Sequence, residues 1–442
     1  MMSRNVALNV EFLTRIEGHG HIVVDVVDGV LRKAELKIVE APRFFEAMLQ
    51  GRSIFEAQHI TSRICGICAC SHSLASIQAA EEAIGYVPST QTVKLRKLLL
   101  HVENLDSHLL HIYFLAAPDL LGVQSLMGLM TDHSGVVRRA LRMKKACNDI
   151  CDTLVGRHVH PISAVVGGFT KLPQKRELEN IRAILQELID ELDPTVDLIA
   201  ALTFPDFIRE TEYVALCSDD GEYPLLTGDA GSTDGVRRAK EDYRTITNEF
   251  LVSHSSAKHA RLSRGSYSVG ALARFNLNFD KLHPLARTVA DKIGLTAPCY
   301  NPFLNTAAQL VECAHCAAEA LRIVEELIDN GVDQSERVIV GVNENCSIPV
   351  RAGSGVGAVE APRGLLFHHY QVDDRGIIRQ ANCVIPTGQN LQNIEDDMRK
   401  LVPEILEKSE DEITRILEML VRAYDPCISC STHFLDVHFI GR

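Results

Sequence analysis

The sequence predicts a mainly α-helical chain with peripheral β-hairpins, an α+β fold built on a central bundle of long helices. Three observations predict it. Apolar residues recur at intervals of three and four over long stretches in the middle of the chain, as they do on helices with one buried face. Alternation of apolar and polar residues is confined to the two ends, near residues 5–38 and 366–385. The composition is that of a packed globule: 46% of the 442 residues are hydrophobic and 23% charged, which excludes a disordered or low-complexity chain.

Taken in order, Val6, Leu8, Val10 and Phe12 alternate and predict a strand with an apolar inner side. Residues 22–38 read as two more strands around Asp28-Gly29, a dipeptide that tolerates the positive φ a tight hairpin demands. After Gly85, Leu95, Leu98, Leu99, Val102, Leu105, Leu109 and Ile112 form one helical stripe. Leu178, Ile181, Leu185, Leu188 and Leu192 form a second, predicted to stop at Asp193-Pro194, because proline cannot donate the next helical hydrogen bond. Leu310, Ala314, Ala317, Leu321, Val324 and Ile328 form a third, ending at Asn330-Gly331. Residues 215–235, rich in Gly, Asp and Ser, predict a surface excursion with short strands, and 366–385 a hairpin around Asp374-Arg375-Gly376. A last helix is expected from about Pro403 to Tyr424, burying Ile405, Ile413, Leu417 and Leu420 and ended by Asp425-Pro426. No repeat or clean linker divides the chain. A single unit over 1–442 is expected, with a hairpin region to about 60, a helical core over about 61–345 and a hairpin-and-helix region over about 346–442.

The 45 basic residues are outnumbered by 58 acidic ones, a formal charge of −13, which argues against a nucleic-acid surface. MMSRNVALNVEF has no apolar leader, and no stretch is apolar enough to span a membrane, so a cytoplasmic location is expected. The 13 cysteines, without a secretory signal, point to thiols or metal ligands rather than disulfides.

Two Cys-x-x-Cys pairs lie at opposite ends of the chain, Cys65/Cys68 and Cys427/Cys430. Spacing of two lets both sulfurs of a pair address one centre, and soft thiolates select zinc, nickel, copper or iron. His72 and His433 follow one helical turn later, suited to donating an N–H that tunes a thiolate. A four-cysteine structural zinc site is the plain alternative, although such pairs usually lie roughly 15–20 residues apart.

RICGICACSH at 63–72 and DPCISCSTH at 425–433 resemble the two signature motifs of nickel-iron hydrogenase large subunits. TRIEGHGHI, FFEAMLQGR, SHLLHIYFLAAPD, VEAPRG and CVIPTGQN match further motifs in the same order. The resemblance implies that fold, reversible oxidation of H2 to protons and electrons, and a catalytic role for this chain. It implies Cys65 and Cys427 terminal on nickel, with Cys68 and Cys430 bridging to an iron that carries one carbon monoxide and two cyanides. His72 then donates to Cys68, while Pro362, Arg363, Pro386 and Thr387 line the pocket of the diatomic ligands. Glu46, the Cys383 carbonyl and His433 match the ligands of a second cation, usually magnesium. Glu17 matches the first carboxylate of a proton relay. Either Cys427 or Arg363 receives the first proton, and the high pKa of arginine favours Cys427. Asp425 pairs with Arg363, caps the turn that Pro426 begins, or does both.

The implied partner is an iron-sulfur small subunit, followed by flavin or iron-sulfur subunits reaching NAD(P), ferredoxin, a deazaflavin or a disulfide. In this chain itself neither an iron-sulfur cluster nor a flavin is expected. Cys147, Cys151, Cys313 and Cys316 fall on helical stripes as buried thiols, Cys70, Cys217, Cys299 and Cys346 have no ligand spacing, and Gly353, Gly355 and Gly357 make a weak glycine run. An H2-sensing subunit with the same centre is a second alternative. Ser107 fits the soluble multi-subunit branch, and the tail 434–442 extends beyond the histidine where relatives are usually trimmed.

Overall fold

The computed structural model describes residues 5–41, 43–130, 133–339 and 348–432. Val6–Val10, Gly20–Val27 and Val30–Ile38 form an antiparallel three-stranded sheet in that order. Asp28 (φ 53°) and Gly29 (φ 75°) both take the left-handed region, which matches the hairpin twist. The inner side, including Ile22, Val24, Leu36 and Ile38, packs on apolar residues of the helices Pro386–Ile405 and Glu410–Ala423. The first strand stops at Val10, so Phe12, expected inside, is 71% exposed and Leu13 is buried instead.

Four long helices, Thr90–Leu110, Ser134–Val155, Lys175–Ala200 and Asn305–Asn330, build the central bundle. Ser89 caps the first by accepting the Thr92 N–H at 3.1 Å. Its stripe from Leu95 to Leu109 is buried, and a π-helical turn over His111–Ala116 keeps Ile112 on the same buried side. The helix expected to stop at Asp193-Pro194 runs on to Ala200, with Val196 and Ile199 buried beyond the proline. Burial of such side chains stabilises by about 1.5–3 kcal/mol each. Together they offset the roughly 3 kcal/mol cost of proline inside a helix.

Between these helices, Glu212–Cys217, Asp229–Ser232, Arg237–Arg238 and Tyr267–Ser268 form a four-stranded mixed sheet. The surface excursion expected over 215–235 is therefore partly interior: Val214, Ala215 and Leu216 are buried, and the Leu216 N–H donates to Glu360 at 2.7 Å.

The hairpin expected over 366–385 is present as Gly364–Val372 and Ile378–Val384, but the glycine run before it is a third strand, Gly353–Ala361. Gly353, Gly355 and Gly357 face the helix Ala69–Ile84, where an added Cβ would lie 2.1 Å from the Ala83 carbonyl oxygen, 2.3 Å from that of Ala79 and 1.9 Å from that of Ala75. Eight residues of helix rise about 12 Å. Four strand residues rise about 13 Å. Alanines at every fourth position therefore stay in step with glycines at every second, and the backbones touch. Gly357→Ala is expected to destabilise the protein by about 3 kcal/mol, as overpacking against backbone does, read as a lower Tm in calorimetry. An unchanged Tm would mean that helix and strand separate freely.

The C-terminal helix also differs from expectation. Pro386–Ile405 is one helix that begins with proline in its first turn, and Glu410–Ala423 is another. They are separated because Ser409 and Glu412 form a capping box: the Ser409 hydroxyl accepts the Glu412 N–H at 3.3 Å, and the Glu412 carboxylate accepts the Ser409 N–H at 3.0 Å.

Candidate metal centre

Cys68 stands at the N-cap of Ala69–Ile84, whose first N–H groups have no helical acceptors. The buried Glu103 serves them, accepting from Cys70 N at 2.6 Å and Ser71 N at 2.8 Å. Burial pushes its carboxyl up to about 7 despite these hydrogen bonds. The second pair opens the short helix Ile428–Ser431, where the Cys427 N–H donates to Thr387 Oγ1 at 2.9 Å and the Ile428 N–H to the Glu17 carbonyl at 2.9 Å. Arg43 fastens the two ends of the chain together: one guanidinium nitrogen donates to the carbonyls of both Ile64 and Ser429.

The four sulfurs consequently converge. Cys65 Sγ lies 3.4 Å from Cys427 Sγ, Cys68 Sγ 3.7 Å from Cys430 Sγ, and Cys427 Sγ 2.8 Å from Cys430 Sγ. All four are buried, with ligand atoms within 4.8 Å of one another. Hydrogen bonds from Cys427, Cys430 and Cys68 hold the Cys65 thiol well below its usual range, whereas burial pushes Cys427 and Cys430 up. Four thiols this close and this dry ionise together only against a multivalent cation, and sulfur selects a soft one. The donor set therefore fits a nickel-iron centre.

Above the sulfurs stands Arg363. Pro362 and Arg363 are the two residues of the turn between Ala361 and Gly364, which pair across the hairpin. Arg363 Nε donates to the Asp425 carbonyl at 2.7 Å and Nη2 to Asp425 Oδ1 at 2.8 Å, while the buried Nη1 has no hydrogen-bond partner among the described residues. Burial opposes the guanidinium charge, but Asp425 and the sulfurs of Cys427, Cys65 and Cys68 outweigh it. The other oxygen of Asp425 accepts from Gln309 Nε2 at 3.1 Å. Of the two roles open to Asp425, its carboxylate performs the pairing with Arg363.

The turn is held by a group that sequence reasoning missed. Fully buried Arg274 grips Glu312 through two hydrogen bonds of 2.6 Å, and donates to Glu360 at 2.9 Å and to the carbonyls of Ala361 and Pro362 at 3.0 and 3.1 Å. The two carboxylates separate in consequence. Burial pushes Glu360 up to about 7, whereas the doubly bonded Arg274 overcomes burial and holds Glu312 well below the usual range. Buried arginines and glutamates leave no periodic trace; an Arg or Glu inside an otherwise apolar stripe, as at Glu312 among Leu310, Ala314 and Ala317, is the available signal.

Glu17, half-buried, faces the cluster from the N-terminal segment. Its Oε2 accepts from Cys427 Sγ at 3.0 Å and from Ser429 N at 3.1 Å, and its Oε1 accepts from the Ser429 hydroxyl. Gly18 (φ 85°) makes this approach possible, since a Cβ there would lie 2.7 Å from Ile428 Cβ and 2.8 Å from Glu40 Oε1. Glu46 is buried in Phe45–Leu49 and accepts the Cys383 N–H at 2.7 Å. Pro386 and Thr387 form the first turn of Pro386–Ile405, and His72 lies buried one turn beyond Cys68. His433, Cys346 and the tail 434–442 lie outside the described residues. Cys147, Cys151, Cys313 and Cys316 are buried thiols in their helices. His254, His259 and Glu395 also cluster, but there the carboxylate already accepts from His254 at 2.7 Å, Leu36 N at 3.1 Å and Arg399 at 3.0 Å.

Residues 43–134 and 231–433 match the family described as nickel-dependent hydrogenase. The chain is 31% identical to sulfhydrogenase 1 subunit alpha of Pyrococcus furiosus, over 98% of this chain and 99% of that protein. It is 32% identical to sulfhydrogenase 2 subunit alpha of the same organism, over 97% of this chain and 100% of that protein. The structure of an NAD+-reducing [NiFe]-hydrogenase in the H2-reduced state superposes with a TM-score of 0.82 at 27% identity, covering 98% of this chain and 100% of that one. With four buried cysteine sulfurs gathered from both ends, the chain belongs to the nickel-dependent hydrogenases and is a catalytic large subunit of the nickel-iron type.

Proposed function

We propose that Cys65 and Cys427 are terminal ligands of nickel, that Cys68 and Cys430 bridge to an iron bearing carbon monoxide and cyanide, and that H2 is split heterolytically there. When bound, this centre supplies an open coordination position and the redox change that H2 cleavage requires. The observation that carries the reading is the gathering of four sulfurs within 4.8 Å beneath Arg363.

The chain's own groups then divide the remaining work. Cys427 Sγ holds the first proton and passes it to Glu17 Oε2, 3.0 Å away, a hydrogen-bond distance suited to transfer. Ser429 keeps the carboxylate aimed at the sulfur through its N–H and hydroxyl. Arg363 remains charged, because guanidinium is not deprotonated in proteins, and acts as a fixed donor positioned by Asp425. Pro362, Pro386 and Thr387 wall the pocket of the diatomic ligands, and the Thr387 hydroxyl oxygen also anchors the Cys427 N–H. His72 supports the bridging Cys68.

Glu46, the Cys383 carbonyl and His433 hold a second, hard cation such as Mg2+. The 2.7 Å hydrogen bond from Cys383 to Glu46 supports the first two as neighbours. Electrons leave to an iron-sulfur small subunit and from there to further flavin or iron-sulfur subunits; the relatives' naming as subunits alpha supports such an assembly. A cytoplasmic location completes the reading, and no helix among the described residues is long and apolar enough to cross a membrane.

Elemental analysis with infrared spectroscopy tests the proposal. About one nickel per large subunit is expected, with cyanide and carbon monoxide bands and with iron beyond that of the partner's clusters. Zinc in place of nickel, without cyanide or carbon monoxide bands, in active, fully assembled protein would overturn it.

A further inference from the structure

Behind His72 lies a buried hydrogen-bonded row that the proposed mechanism does not use. His72 Nδ1 meets His368 Nε2 at 3.1 Å, His368 Nδ1 lies 2.9 Å from the Tyr370 hydroxyl, and that hydroxyl donates to Ser76 Oγ at 2.9 Å. All four residues are buried. His72 and Ser76 lie four apart on one face of the helix Ala69–Ile84, a rise of about 6 Å. His368 and Tyr370 lie two apart on one face of the strand Gly364–Val372, a rise of about 7 Å. The two pairs therefore meet in register, as the nearby alanines and glycines of the same helix and sheet do. Cys383 Sγ, on the next strand, stands 3.7 Å from the same His368 nitrogen, Nδ1.

A side chain on a helix slants back toward the N-terminus, so His72 is directed toward the turn that carries Cys68, four residues earlier. Which nitrogen an imidazole turns toward a thiolate is set by the partner of its other nitrogen. The partner of His72 Nδ1 is His368, whose own Nδ1 is met by Tyr370 and Cys383. The strand that carries His368 begins just after Arg363, so helix and strand carry the two approaches to the cluster.

We infer that His368 is a positioning residue for the metal centre: by occupying Nδ1 of His72 it fixes that ring with Nε2 toward the bridging Cys68. The inference rests on the reading of His72 as the support of that sulfur. A residue that merely fills space between helix and strand would be replaceable by any side chain of similar volume; a positioning residue requires a polar nitrogen or oxygen at the place of Nε2.

The test uses the assembled, metal-loaded enzyme with His368→Leu, His368→Gln and His72→Leu, read by metal content, the nickel electron paramagnetic resonance signal, the midpoint potential of the centre and turnover. His368→Leu is expected to retain nickel and iron and to lower turnover roughly tenfold, at the lower end of what outer partners of metal ligands contribute. It should shift the signal and the potential in the same sense as His72→Leu, add nothing further in the double variant, and be largely rescued by His368→Gln, whose amide reaches the place of Nε2. A wild-type signal and potential in His368→Leu, with His72→Leu shifted, would overturn the positioning role alone. If His72→Leu itself shifts neither, the underlying reading of His72 fails and this inference with it. Should His368→Leu not fold, the comparison passes to His368→Gln and the shorter His368→Asn; identical signals in these two would overturn the proposal.

Discussion

Cys430→Ser is expected to leave the chain without nickel or iron and without hydrogenase activity, while its fold survives. Cys430 Sγ is buried, 2.8 Å from Cys427 Sγ and 3.7 Å from Cys68 Sγ, so its loss removes one of four sulfurs from the middle of the set. A serine hydroxyl is a harder donor that stays protonated in dry surroundings, and it supplies neither the charge nor the softness of a thiolate. Four-ligand metal sites bind with about 10–16 kcal/mol, so one ligand carries on the order of 3 kcal/mol. That corresponds to roughly a hundredfold loss of affinity, enough to empty a centre during purification. Circular dichroism should be unchanged, since sulfur and hydroxyl differ little in size. Cys313→Ser is the matched control, a fully buried thiol in the helix Asn305–Asn330, and should keep its metal. Full nickel occupancy in Cys430→Ser would mean that this sulfur is not a ligand.

Glu17→Gln is expected to keep metal content and infrared bands and to lose turnover and proton exchange by roughly a hundredfold or more, the scale of a positioned acid-base group. The amide oxygen can still accept from Ser429, so the loop is not disturbed. An amide cannot, however, take the proton that Cys427 Sγ offers across 3.0 Å. The contrast between the two substitutions separates holding the metal from moving protons. Wild-type exchange in Glu17→Gln would remove Glu17 from the relay and direct attention to another exit from Cys427.

The legible and illegible parts of this molecule differ in the range over which their physics acts. The Asp28-Gly29 turn, the Leu95–Leu109 stripe and the end of a helix at Asn330-Gly331 each follow from residues a few positions apart, and each stands as expected. The misreadings are places where distant burial overrode a local signal. Pro194 stays helical because Val196 and Ile199 are buried beyond it, and the glycines at 353, 355 and 357 form a strand because alanines of a helix almost 300 residues earlier press against them. The break at Ser409 is different, because its cause is local: a capping box within four residues.

Residue identity and spacing set which atoms are available for chemistry: two pairs of thiols at the ends, a carboxylate at Glu17, a guanidinium at Arg363 and the motif order that marks the family. That these atoms share one place depends on long-range packing: Arg43 joining Ile64 to Ser429, Arg274 holding the turn beneath Arg363, and His368 set against His72. The physical reason is that a motif is written in the identity and spacing of neighbouring residues. A buried hydrogen bond between residues hundreds of positions apart exists only once water is excluded from both, and no local pattern records its partner.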